Sequence, residues 1–307
     1  ATEAIDEGIS RIAFVKTDNR AEGVRRAIDL LRITPLAGKR VFIKPNFNSA
    51  HPTPGSTHPD VLRALVKKLQ EMGAKGITVG DRSGMGDTRT VMSQLGVFEM
   101  VQELGFETVV FDELESSQWV KNQPMGSHWR DGFLFAKPCL DCGVIVQTCC
   151  LKTHQFGGVF TMSLKLHVGV VPTGRHGYAY MSELHGSPHQ RKLIAEINAP
   201  FKPDLVVLDG IDAFVDGGPA TGKRAQGNAF LAATDRVAID AVGLAILKSL
   251  GSNPQIMNTK IFEQEQIARA AEIGLGAASP AEIEVVAADT DACGAPAVVF
   301  TKCDPYD

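Results

Sequence analysis

The chain has 307 residues, 44% of them hydrophobic and 21% charged, with a formal charge of −4. This is the composition of a globular protein with enough apolar mass for one large core or two lobes. The acidic balance argues against nucleic acid as the main partner, and no apolar run reaches the roughly 18–20 residues of a membrane span, so no membrane partner is expected either.

In chain order the pattern is strand, loop, helix, repeated. "RVFIKPN" is a short apolar run predicted to be a buried strand ending near Lys44. In "THPDVLRALVKKLQEMGAK" the apolar residues Val61, Leu62, Leu65, Val66, Leu69 and Met72 fall on one helical face. Thr57 with Asp60 fits a capping box, and Gly73 a stop. "GITVGD" is the next strand, "TRTVMSQLGVFEMVQELG" a helix interrupted at Gly96, and "FETVVFDE" a third strand. "DGFLFAKP" and "CGVIVQTC" are two more strands. Residues 188–198 read as helix, "PDLVVLDG" as strand, "IDAFVDGGPATGKRAQG" as loop and "NAFLAATD" as strand. "DRVAIDAVGLAILKSLG" is a helix with Asp235 as N-cap and Gly251 as stop, residues 258–274 a further helix, and "AEIEVVAAD" a late strand. Asp87 is read as another N-cap.

Strands that alternate with helices predict an α/β fold, a mostly parallel sheet covered by helices. Two lobes, 1–120 and 121–307, are expected, with the boundary around residues 121–150 and a cleft at the strand carboxyl ends. Polar groups at those ends make Lys44, Asn46, Asn48, Asp81 and Asp209 candidates to converge there, with His58 a further anion-binding candidate.

From Leu151 to Lys192 the window holds five Lys or Arg and a single acid, Glu183, and five of the eight histidines. Gly157 and Gly158 let backbone amides approach a ligand closely. A basic, glycine-rich patch in an acidic chain attracts anions. Lys152 and His154 directly follow the apolar "VIVQTCCL", and Lys165 and His167 sit inside "FTMSLKLHVGVV". Lysines so placed must reach water or a counter-charge, because an unpaired buried ammonium is costly. If extended, Lys152/His154 and Lys165/His167 each share a face.

Other constellations are weaker. Cys139-x-x-Cys142 with Cys149-Cys150 offers four thiols, but adjacent strand residues face opposite ways. Cys293 and Cys303 admit a disulfide if the protein is exported. Asp209, Asp212 and Asp216 admit a hard cation such as magnesium, or one of them a pairing with Lys152 or Lys165. No G-x-S-x-G elbow and no H-E-x-x-H motif occurs. The chain starts at Ala1 without Met, which leaves a cytoplasmic location or export after signal removal both open.

"VFIKPNFN", "THPDVLRALVKKLQEMGAKGITVGD", "LKTHQFGGVFTMSLK", "KPDLVVLDGIDAFVDGGPATG" and "AATDRVAIDAVG" together resemble the DUF362 family, over most of residues 40–247 as one continuous domain. Family members read K-N-L-x-G where this chain has Lys165-Leu166-His167-Val168-Gly169, so lysine and glycine are kept and the asparagine is not. Some relatives carry a ferredoxin-like iron–sulfur domain, which the resemblance links to a redox partner. This chain lacks the C-x2-C-x2-C-x3-C run such a domain needs.

The reading is an enzyme that holds a small anionic substrate or cofactor, with Lys44, Lys152 and Lys165 neutralising it. Asn46, Asn48, His58, His167, Gly157 and Gly158 would orient it, and His154 would act as acid or base. Asp81, Asp209 and Asp216 are candidate ligands for a divalent metal. Isomerisation, proton abstraction and metal-assisted transfer all fit. The alternative is a non-catalytic carrier of a metal or anionic cofactor, or an accessory to a redox partner. Homo-oligomers are compatible with either.

Overall fold

The computed structural model describes residues 8–287. The first half runs β1 (Ser10–Lys16), α1 (Arg20–Leu31), β2 (Arg40–Lys44), α2 (Pro59–Glu71), β3 (Gly76–Asp81), α3 (Thr88–Gln94), α4 (Val97–Leu104) and β4 (Glu107–Val110). Next come β5 (Trp119–Asn122), β6 (Phe133–Ala136), α5 (Lys137–Leu140), β7 (Val144–His154), β8 (Val159–Phe160) and α6 (Ser163–Leu166). The remainder is α7 (Tyr180–Gly186), α8 (Gln190–Glu196), β9 (Leu205–Gly217), β10 (Gly222–Ala233), α9 (Arg236–Ser249), α10 (Pro254–Met257), α11 (Glu265–Glu272) and β11 (Ile283–Ala287).

Nine strands form one sheet in the order β11-β1-β10-β9-β7-β2-β3-β4, with β8 paired to β7. The run β9-β7-β2-β3-β4 is parallel throughout, as is β1-β11; β10 is antiparallel to both its neighbours. This is the α/β, mostly parallel, helix-covered sheet that the strand–helix alternation predicts. β2 and β7 come from opposite sides of residue 121 and are hydrogen-bonded neighbours, with Val41 opposite Val144.

Both faces are covered, which is why β7 is buried along its whole length and its neighbours β2 and β9 over most of theirs. On one face α1, α2 and α4 pack against Val41, Ile43, Val79, Val146 and Val207. On the other, α9, α11 and α6 cover Cys149, Leu151, Val206 and Leu208. A third apolar group joins Phe42 and Ile145 to the β5–β6 hairpin and to α7 and α8. The expected N-caps Asp87 and Asp235 accept from Thr90 N and from Val237 N and Ala238 N. Gly96 breaks its helix at a φ of 72°.

The structure corrects three expectations and refines a fourth. α2 is capped by the His58 ring, which accepts from Asp60 N; Thr57 instead accepts from Asn46 N and ties that loop to β7. The segment after Gly210 is not a loop but a β9–β10 hairpin, because Ile211, Ala213 and Val215 alternate inward despite the Asp and Gly between them. The "FLFA" strand sits outside the main sheet, paired to β5. Helix over 258–274 is confined to α11, preceded by a short 3-10 turn at Ile261–Glu263.

Candidate functional site

A cavity of about 490 Å³ opens at the carboxyl ends of β2, β3 and β7, where Lys44, Asp81 and His154 end or nearly end their strands. Its other wall is α6 with the 3-10 turn His167–Val170, which contributes Lys165. Of the sequence candidates, Lys44, Asn46, Asn48, Asp81, His154 and Lys165 line it.

Lys44 and Asp81 form a buried ion pair at 2.6 Å. The Asp81 carboxylate also accepts from Phe47 N and Arg82 N, and the Lys44 ammonium also donates to Pro45 O. Burial lowers the lysine's pKa and raises the carboxyl's, and their mutual attraction opposes both shifts. A Cβ at Gly169 would collide with Asp81 Oδ1 and come within 3.0 Å of Lys44 Nζ. The glycine of "KLHVG" therefore lets the turn close over this pair.

Arg82 is the second cation. Its guanidinium donates to Val171 O, Ser83 O, Val168 O and Thr173 Oγ1, which straps the end of β3 to the segment after α6. These bonds go to neutral acceptors, so the donors are spent while the charge is met only by the Asp81 and Asp112 carboxylates, with no direct ion pair.

Lys165 is the third, and it differs from both. It is 8% exposed, lines the cavity, and has no hydrogen-bond or ion-pair partner among the described residues. Burial, with the Lys152 and Arg82 charges nearby, pulls its pKa down to about 7. The one-turn helix that carries it is fixed from outside: Asp240 of α9 accepts from Ser163 N at 2.7 Å and Leu164 N at 2.9 Å, and Ser163 Oγ donates to Gln147 Oε1. Asp240 is fully buried and its carboxyl is pushed up to about 7 by that burial.

His154 stands beside Lys165. A Cβ at Gly158 would lie 2.9 Å from both His154 Nδ1 and Lys165 Cε, so this glycine provides close packing on the pair. His154 Nδ1 is buried without a partner. Burial first, then Lys165 and Lys152, drives its pKa far below the ordinary histidine range, so the ring is neutral. His185 lies on the cavity wall with a pKa lowered by burial, Lys165 and Arg82.

The remaining candidates lie elsewhere. Lys152 is 1% exposed and donates to Gly55 O and Pro219 O, and burial lowers its pKa to about 8. His167 turns into the core, against Gln147, Phe135 and Phe201, because residues 163–170 are helical and Lys165 and His167 do not share a face as a strand would require. Gly157 packs on Gln190. His58 caps α2, outside the cavity lining. Asp81, Asp209 and Asp216 are not brought together. Asp81 holds Lys44, Asp209 and Asp212 hold Arg20 at 2.7 and 2.6 Å, and Asp216 accepts from Gly217 N in the hairpin. No group of three or more His, Cys, Asp or Glu suited to a metal occurs among the described residues. Cys139, Cys142, Cys149 and Cys150 are free, and burial raises the pKa of all four thiols. Cys293 and Cys303 lie outside the described residues.

Sequence reasoning missed Arg82 and the apolar residues Met85, Phe156 and Met181 on the cavity wall. Arg82 had a signal, since it directly follows Asp81 at a strand end. Phe156 and Met85 are exposed large apolar side chains, and nothing local in the sequence marks them as neighbours.

No helix among the described residues is long and apolar enough to cross a membrane. The thylakoid-associated protein sll1697 of Synechocystis sp. is 28% identical over 214 residues, 69% of this chain and 64% of that protein's own length. The lactate racemase apoprotein of Thermoanaerobacterium thermosaccharolyticum superposes with a TM-score of 0.47 at 14% identity, over 78% of this chain and 58% of that one. A Thermotoga maritima protein does so with a TM-score of 0.46 at 13% identity, over 82% and 58%. Residues 41–245 match the family profile described as Domain of unknown function (DUF362), and the chain belongs to that family.

Proposed function

We propose that the cavity binds a small organic anion, carboxylate or phosphate, and that the protein is an enzyme in which Lys165 moves a proton on that bound molecule. The observation that carries this reading is the lone ammonium of Lys165, buried in a cavity whose lining holds Lys44, Arg82 and Lys165 against the single carboxylate of Asp81. A buried cation without a partner is destabilising, and folds keep one where a guest supplies the missing charge. Asp81 is already engaged by Lys44, so the surplus charge is left for the guest.

The acid–base assignment follows from the environments. Neutral His154 is a poor proton donor at physiological pH. Lys165, with a pKa near 7, is half charged there and serves in either direction. An anion beside it favours the charged form. Binding at pH 8 is therefore accompanied by proton uptake, and binding at pH 6 is not.

Calorimetry with 3-phenyllactate and with inorganic phosphate, repeated in buffers of different ionisation enthalpy, tests this. The expected result is binding with net proton uptake at pH 8 that disappears in Lys165→Met. Binding of equal strength by the variant would exclude Lys165 from the site. The experiment also addresses the carrier alternative, since tight binding without turnover of any bound acid would favour it.

A further inference from the structure

We propose that Lys165 is also a nucleophile: its amine condenses with the keto group of a 2-oxo acid bearing an apolar side chain, giving a covalent imine at the floor of the cavity. This rests on the anion-site reading and extends it to a substrate class.

Three placements lead there. The Lys165 amine has no competing hydrogen bond among the described residues, so its lone pair is available whenever it is unprotonated. The groups that face it are Arg82 from the end of β3, Lys152 and His154 from β7, and His185 from α7. All are cationic or neutral and none is a carboxylate, so nothing nearby holds the amine in its charged form. A lysine kept uncharged by burial beside other cations is the arrangement that activates amines for carbonyl attack. The walls then select the guest. Met85, Phe156, Leu166, Val168 and Met181 surround the cationic floor, and Phe156 and Met85 remain exposed at its mouth. A molecule that fills this space is anionic at one end and apolar along its length.

The step balances without an outside oxidant or reductant. The amine nitrogen bonds to the keto carbon, the two amine hydrogens leave with the keto oxygen as one water, and the imine nitrogen takes a proton from solvent to become an iminium. The iminium charge sits next to the substrate carboxylate and draws electrons from the adjacent carbon. It prepares the molecule for proton loss there, and His185 on the cavity wall, the more basic of the two lining histidines, would receive that proton.

The test is borohydride trapping on the full chain, with phenylpyruvate as probe and phenyllactate as the matched acid that has no keto group. The expected result is a reduced adduct mapped by peptide mass spectrometry to Lys165 alone. It should be lost in Lys165→Arg, whose guanidinium keeps a positive charge but offers no nucleophilic amine. Phenyllactate binding without an adduct from phenylpyruvate would overturn the imine and leave the anion site standing. Adducts spread over surface lysines at equal yield would also overturn it. Failure of both acids and of inorganic phosphate to bind would remove the anion reading itself.

Discussion

Two regions bury positive charge in opposite ways. At the start of α1, Arg20 reaches Asp209 and Asp212 on β9 at 2.7 and 2.6 Å, so the cation is met by two carboxylates. In the cavity, Lys165 is more deeply buried than Arg20 and matched by nothing among the described residues. The first arrangement fastens a helix to the sheet, and removing either end leaves an orphan. The second stabilises nothing in the empty protein, which is how a group kept for a ligand differs from one kept for folding.

The contrast yields predictions of decreasing size. Arg20→Met leaves Asp209 buried and without its main partner, and should cost about 3 kcal/mol of unfolding free energy in a denaturant titration. Lys165→Met should do the reverse. It should lower phenyllactate affinity by roughly 2 kcal/mol or more, about 30-fold, and raise unfolding free energy by about 1 kcal/mol. A destabilised Lys165→Met protein would place Lys165 in the first class and dissolve the comparison.

The pH dependence sharpens it. Lys165 and Lys152 titrate in the folded chain near 7 and 8, below the 10.5 of a free lysine. In that window the unfolded chain binds protons that the folded one excludes, so stability rises with pH from about 7 toward 10. Each lysine contributes a slope of about 1.4 kcal/mol per pH unit within its own window. Lys165→Met should flatten the slope by one proton, read from chemical denaturation at several pH values. A last prediction concerns packing: Gly169→Ala pushes a methyl group into the Lys44–Asp81 pair and should cost about 1–3 kcal/mol. Binding should weaken through displacement of Lys44 rather than through loss of charge.

The sequence disclosed the framework well because the signals were local. The apolar faces of α2 and α9, the caps Asp87 and Asp235, and the polar strand ends at Lys44 and Asp81 are all short-range patterns. It misled where one residue type has two uses. The Asp and Gly residues of β9 imitate a turn, and the alternation of Ile211, Ala213 and Val215 that outweighs them is legible only once β10 is known to pair there. Lys165 and His167 would share a face only in a strand, and four residues cannot separate strand from single-turn helix. What selects helix is Asp240, more than 70 residues away. No sequence rule says which lysine keeps a partner: Lys44 finds Asp81, Lys152 finds backbone carbonyls, and Lys165 finds none.

The most direct measurement is the titration of the Lys165 side chain itself, followed by NMR in protein labelled at the lysine ε-carbon and assigned with Lys165→Arg. The resonance should move with a midpoint near pH 7 in the free protein and shift to higher pH when phenyllactate is added. A midpoint at the ordinary lysine value, unmoved by the acid, would contradict the claim that this amine is held buried and unpaired for an anion.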